Sequence, residues 1–139
     1  MKKQESEPIL VSSCLVGLCT RYDGQIKPSE ECLEQLRGHT WIPVCPEQLG
    51  GLPTPRPAAD LVGGDGTAVL DGWAAVITKD GEDVTANFIR GAAQCLEVVR
   101  AQGVRLAFLR AKSPSCGLGP LKGVTAAMLE KNGVELREF

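Results

Sequence analysis

The feature that most restricts the fold is an alternation of short apolar runs with segments of helical periodicity. The apolar runs predict strands and the periodic segments predict helices. The predicted strands lie at residues 8–13, 41–44, 104–111 and 134–136, and the predicted helices lie at residues 28–36, 84–101 and 125–131. This alternation is typical of an α/β layer fold, so we expect a small, mainly parallel, Rossmann-like sheet flanked by helices.

The region between the second strand and the long helix gives weaker signals. Residues 46–57 contain four prolines and two glycines, which predicts an ordered but irregular loop of the kind that usually serves function. Residues 67–70 and 74–78 are expected to pair as a β-hairpin across Asp71 and Gly72, because Asp-Gly is a turn signal.

Length and charge limit the possible functions. The 139 residues predict a single domain, expected at 8–139 after a flexible lead at residues 1–7. The formal net charge is -2 and no basic block is present, so we expect no nucleic-acid partner. No apolar run is long enough to cross a bilayer, and the N-terminus lacks the apolar core of a signal peptide. These features indicate a cytoplasmic protein without a membrane partner.

Six cysteines are many for a cytoplasmic chain of this length. In a reducing compartment, metal binding or thiol chemistry explains them better than disulfides do. Cys32 and Cys95 fall on the apolar faces of predicted helices, where we expect them to be small buried hydrophobes. His39 is the only histidine, and we interpret it as structural or exposed.

Three other cysteines, Cys14, Cys45 and Cys116, each lie just past the end of a predicted strand. If these strands are parallel neighbours, the thiols meet at the sheet edge where open α/β sheets bind ligands. Three such thiolates suit zinc or an iron–sulfur cluster, whereas the alternative is three separate thiols packed in loops. Cys19 follows Cys14 in the same loop, and as a fourth ligand it would close a site that three ligands leave open.

Five sequence motifs occur in the order found in a known family. They are residues 11–17, 21–24, 44–56, 80–85 and 112–117. Together they resemble the thiouracil desulfidase family, and the resemblance runs from about residue 8 to the C-terminus. It implies an enzyme that removes sulfur from a thiolated pyrimidine base or nucleotide by hydrolysis, releasing sulfide without net redox change.

The same resemblance implies a cofactor and a set of site residues. Family members hold a [4Fe-4S] cluster through three cysteines, which match Cys14, Cys45 and Cys116, and the fourth iron is free to bind the substrate sulfur. Glu47 and Ser113 match a glutamate and a serine that assist the reaction. Without the resemblance, a solvated loop carboxylate and a turn cap would explain these two residues.

Arg21, Arg56 and Ser115 are further candidates for substrate binding. The two arginines lie in matching motifs and suit a substrate carbonyl or phosphate. Salt bridges to Asp23 or Asp60 would explain the arginines equally well. Ser115 competes for the role of the assisting serine.

The chain departs from the family pattern at two places. Residues 118–122 form a shorter connection than the family usually has before its last helix, which would open the pocket or change the substrate. The second departure is Cys19, which stands where the family pattern has no cysteine. If the Cys19 thiolate reached the cluster, the open iron would be lost.

Two other functions fit the same cysteines. One is a non-catalytic iron–sulfur or zinc sensor, which would use the three thiolates only to bind the metal. The other is a sulfurtransferase that carries a persulfide on Cys116 without any metal.

Overall fold

The computed structural model describes residues 7–139, so the lead expected at residues 1–7 falls almost entirely outside the described residues. The strands are β1 (Ile9–Ser12), β2 (Trp41–Val44), β3 (Ala59–Val62), β4 (Ala75–Thr78), β5 (Leu106–Leu109) and β6 (Glu135–Glu138). The helices are α1 (Glu30–Leu36), α2 (Pro46–Leu49), α3 (Gly66–Leu70), α4 (Thr85–Gln102) and α5 (Val124–Lys131), with a 3-10 helix at Ser13–Val16.

The main sheet has four parallel strands in the order β2-β1-β5-β6. Ile9 in β1 lies opposite Trp41 of β2 on one side and Leu106 of β5 on the other. The strands expected at 8–13, 41–44, 104–111 and 134–136 correspond to these four. The mainly parallel α/β fold that the sequence predicts is therefore confirmed.

Strand β1 lies at the centre of the molecule, and all four of its residues are buried. Ile9 and Val11 belong to a core formed with α1, whereas Leu10 belongs to a core formed with α4 and α5. A parallel strand that is covered on both faces needs apolar side chains at every position rather than at alternate ones. This explains the continuous apolar run from Ile9 to Val11.

The hairpin expected between residues 67–70 and 74–78 is wrong. Residues 67–70 lie in α3, and β4 pairs in antiparallel register with β3 instead. The Asp65 side chain caps α3 by accepting a hydrogen bond from the Ala68 N–H at 3.0 Å. Val69, on the inner side of α3, is buried. The cap satisfies a free N–H at the helix start, which favours a helical turn over an extended strand.

The proline-rich stretch at residues 46–57 is more regular than expected at its start. Pro46 begins the short helix α2, as proline favours the first helical position. The rest of the stretch runs without helix or strand to β3. Among the described residues, no helix is long and apolar enough to cross a membrane.

Candidate active site

The ends of three neighbouring strands carry the three cysteines of interest. Cys14 lies in the 3-10 helix after β1, Cys45 directly follows β2, and Cys116 lies in the turn region after β5. Since β2, β1 and β5 are adjacent and parallel, their carboxyl ends share one edge of the sheet. This topology brings together residues that are as far apart in sequence as Cys14 and Cys116.

All three thiols line one cavity of about 390 Å³ at this edge. Every residue that the sequence predicted for the site lines it as well. The lining residues are Ser12, Ser13, Cys14, Thr20, Arg21, Tyr22, Val44, Cys45, Pro46, Glu47, Arg56, Arg110, Ala111, Lys112, Ser113, Pro114, Ser115 and Cys116. A cavity of this size falls in the range of small-molecule sites.

The three thiols that line the cavity are soft donors of the kind that zinc and iron–sulfur clusters take. Within residues 7–139, no group of three or more His, Cys, Asp or Glu side chains is placed to hold one metal ion. A zinc ion requires all of its thiolates within about 2.3 Å of one centre. In an iron–sulfur cluster, each thiolate binds a different iron, so the sulfurs need not meet at one point.

Burial favours the neutral thiol form of Cys14 and Cys116 until a metal is bound. Burial raises the pKa of Cys116 to about 12. Burial also raises the pKa of Cys14, although the nearby charge of Arg110 opposes this rise. Thiolates that ligate iron give up these protons, so cluster binding would release protons to the solvent.

Glu47 is held at both carboxylate oxygens. Arg56 donates from Nε to Oε1 of Glu47 at 2.8 Å, and Ser115 donates from Oγ to Oε2 at 3.1 Å. The side chain of Glu47 is 14% exposed and that of Arg56 is 5% exposed. The partner of Arg56 is therefore Glu47 and not Asp60, and the carboxylate has a fixed orientation rather than a solvated loop position.

The Ser113 hydroxyl organises the turn that carries Cys116. Its Oγ accepts hydrogen bonds from the N–H of Ser115 at 3.2 Å and of Cys116 at 3.1 Å, and it lies 3.2 Å from the Ser115 Oγ. These contacts are the turn cap considered above. A hydroxyl that accepts two bonds still has its own hydrogen to donate, so the cap does not exclude a chemical role.

Positive charge dominates the cavity lining. Four cations line it, against the single carboxylate of Glu47; the cations are Arg21, Arg56, Arg110 and Lys112. Arg21 pairs with Asp23 through bonds of 3.0 and 2.8 Å, which is the salt bridge considered above. The excess of positive charge suits a site that holds several thiolates.

The sequence analysis assigned no role in the site to two of these cations. Arg110 and Lys112 follow β5 directly, and Lys112 has a left-handed backbone with φ of 64°. Their position between a buried strand and the Ser-Pro-Ser-Cys turn could have predicted that they line the site. A left-handed lysine is uncommon and often marks a functional turn.

Three residues that were assigned away from the site, and Cys19, which was left open as a fourth ligand, do not line the cavity. Cys32 and Cys95 are fully buried, which confirms their assignment to the cores. His39 is exposed. Cys19 is exposed too, is not among the cavity-lining residues, and donates from Sγ to the Gly24 carbonyl at 3.3 Å.

We therefore expect Cys19→Ser to leave the iron content unchanged after anaerobic reconstitution, because its sulfur does not line the cavity. Cys14→Ser, in the same loop, is the matched variant and should lose most of the bound iron. Iron and sulfide analysis of both proteins checks the prediction. Equal iron losses in the two variants would show that Cys19 is a ligand.

Comparison with known proteins shows the family of this chain. Residues 9–138 match the 2-thiouracil desulfurase family. The chain belongs to this family. The match covers all three cysteines and every residue that lines the cavity.

Two relatives of this 2-thiouracil desulfurase family member are similar over nearly their whole length. The uncharacterized protein YbbK of Bacillus subtilis (strain 168) is 39% identical in an alignment of 137 positions, and the alignment covers 90% of this chain and 91% of YbbK. A solved structure of the [4Fe-4S]-dependent thiouracil desulfidase TudS is also 39% identical. It superposes with a TM-score of 0.81 and covers 96% of this chain and 91% of its own.

Proposed function

We propose that this protein is a [4Fe-4S]-dependent desulfidase that hydrolyses the carbon–sulfur bond of a thiouracil-like base or nucleotide. The observation that carries the proposal is the convergence of Cys14, Cys45 and Cys116 on one cavity that also contains an oriented carboxylate. The similarity to TudS supports it, since that protein is a [4Fe-4S]-dependent thiouracil desulfidase.

Cys14, Cys45 and Cys116 would hold the cluster, each as a thiolate on a different iron. With three protein ligands, the bound cluster supplies one iron as a Lewis acid with affinity for the thiocarbonyl sulfur. Arg21 and Arg56 are paired with carboxylates, so Arg110 and Lys112 are the lining cations whose charge would offset that of the thiolates.

Glu47 would accept the proton of the attacking water and later donate it. The overall reaction converts a thiocarbonyl and water into a carbonyl and hydrogen sulfide, so protons move but no electrons are gained or lost. Arg56 occupies Oε1 of Glu47 with a charged donor, whereas Oε2 has only the Ser115 hydroxyl. We infer that the water gives its proton to Oε2 and that the same oxygen later delivers it to the leaving sulfur.

Ser113 and Ser115 would orient the substrate and the water. Ser113 Oγ accepts two backbone N–H groups, and its hydrogen, which is donated to Ser115 Oγ in this structure, would turn to a ring carbonyl, a ring nitrogen or the water when substrate binds. Ser115 lies between Ser113 and Glu47 and connects the two hydroxyls to the carboxylate. Arg21 lies in the cavity wall and is the proposed cation for an anionic part of the substrate.

The test is anaerobic reconstitution followed by an assay of sulfide release. We expect about four irons and four sulfides per chain, a brown protein, and hydrogen sulfide on addition of 2-thiouracil. A colourless protein that retains zinc would contradict the proposal. A stable cluster without sulfide release from thiolated bases or nucleotides would indicate a sensor, and release of sulfur without iron would indicate a persulfide carrier.

A further inference from the structure

Arg56 is a buried cation whose donors are all engaged within the protein. A guanidinium has five N–H groups. Nε bonds Glu47 Oε1 at 2.8 Å, and Nη1 bonds the Pro53 carbonyl at 3.0 Å and Thr54 Oγ1 at 2.8 Å. The remaining group, Nη2, bonds the Thr20 carbonyl at 2.9 Å and lies 3.8 Å from the Cys45 sulfur.

These five contacts join separate segments of the chain. Thr20 lies in the loop after Cys14, Cys45 directly follows β2, and Glu47 lies on α2. The side chain of Arg56 is only 5% exposed, so water competes little for its donors. Arg56 therefore holds the proposed ligand Cys45, the proposed catalytic carboxylate of Glu47 and the loop after Cys14 in fixed positions relative to one another.

The same contacts favour positioning over substrate binding. A substrate that took an N–H from Arg56 would have to replace a protein acceptor and leave it unsatisfied, which disfavours such binding. Arg21 differs, because the bonds it makes to Asp23 come from Nε and Nη2. Its Nη1 makes no recorded bond within the described residues.

We infer that Arg56 is a positioning residue that orients Glu47 and, by its N–H donation to the Cys45 sulfur, controls the reduction potential of the bound cluster. The inference rests on the proposed function for the cluster. Hydrogen bonds to ligand sulfurs raise the potential of iron–sulfur clusters because they stabilise the extra electron of the reduced form. An arginine that holds both the carboxylate and the sulfur links the acid–base group to the cluster.

Two variants separate this role from the others. Arg56→Gln removes the charge and the fork of donors. Arg56→Lys keeps the charge but offers a single point donor that cannot reach the carboxylate and the sulfur together. Arg21→Gln is the matched control for the potential, because Arg21 lines the same cavity without a recorded contact to a thiol.

The experiment measures the cluster potential and the steady-state constants of anaerobically reconstituted proteins. Dithionite titration followed by electron paramagnetic resonance gives the potential, and sulfide release gives kcat and KM. We expect both Arg56 variants to shift to a more negative potential than Arg21→Gln does. We also expect kcat to fall about 10- to 100-fold with KM changed less than threefold, about the range seen when groups that support metal ligands are removed.

Other results would overturn the inference. An unchanged potential and an unchanged kcat in Arg56→Lys would show that the contacts are incidental. A rise in KM with kcat unchanged would assign Arg56 to substrate binding instead. If the parent protein binds the cluster without releasing sulfide, the proposed function fails, but the potential still tests the contact with the Cys45 sulfur.

Discussion

Glu47→Gln is expected to lower kcat by about 10²- to 10⁴-fold while the protein retains its full iron content. Glutamine has the shape of glutamate, so it can still accept the bond from Arg56 at one atom and face Ser115 with the other. It cannot take a proton from water. The substitution therefore removes the proposed base and leaves the three thiols in place. Sulfide release and iron analysis on the same preparation measure both effects.

The control for this variant is Glu97→Gln, which removes an exposed carboxylate on α4 that does not line the cavity. It should match the parent protein in kcat and in iron content. Retention of full turnover by Glu47→Gln would exclude Glu47 as the group that moves the proton. Loss of iron in Glu47→Gln alone would instead make the carboxylate a structural part of the cluster site.

Gly91→Ala is expected to lower both stability and cluster occupancy, although alanine is normally the better helix residue. A Cβ at Gly91 in α4 would lie 1.9 Å from the Pro46 carbonyl oxygen. Gly50 makes the reciprocal contact, because its Cβ would lie 2.0 Å from the Asn87 carbonyl oxygen. The two glycines let α2 pack directly on the backbone of α4. This close approach sets the position of α2, which begins directly after Cys45.

The steric cost of the added methyl group exceeds the gain in helix propensity, so the substitution should destabilise the protein. Alanine gains about 0.5–1 kcal/mol over glycine inside a helix. A methyl group forced against backbone atoms costs about 1–3 kcal/mol or more. We expect a melting temperature lower by about 3–10 °C and an iron content well below the parent value. Thermal unfolding of the cluster-free protein and iron analysis measure the two effects separately.

Gln94→Ala on the same helix is the matched control, since Gln94 is exposed and its replacement removes no described contact. This variant should keep the melting temperature within a few degrees of the parent value. A Gly91→Ala protein that is more stable than the parent would mean that α2 can move away without loss. If that protein also kept its iron, the position of α2 would not determine the cluster site.

The meeting of the three cysteines at one site could be predicted from the sequence, because it follows from a general property of parallel sheets. Cys14, Cys45 and Cys116 follow three apolar runs, and parallel neighbours end at the same edge. The strands were recognisable because buried parallel strands are apolar at every position, as in β1. Their order in the sheet did not need to be known, since any adjacent arrangement brings the three thiols together.

The remaining parts depend on contacts between segments that no local pattern reveals. The bonds of Arg56 to Glu47 and Thr20 join distant positions through a loop without helix or strand. The hairpin prediction failed because an aspartate cap outweighed the β-propensity of a four-residue apolar stretch that ends at Leu70. Short apolar stretches fit either a strand or a buried helix, and only their packing decides.

The pairing of β1 with β5 also determines when, during synthesis and folding, a cluster can be inserted. Cys14 and Cys116 become neighbours only when β5 docks beside β1, and these strands are separated by all of α1 to α4. A ribosome exposes β1 long before β5 has been synthesised. Insertion of a cluster that needs all three cysteines must therefore follow this late, long-range folding step. Until then Cys14 and Cys45 are accessible to oxidants and to other metals.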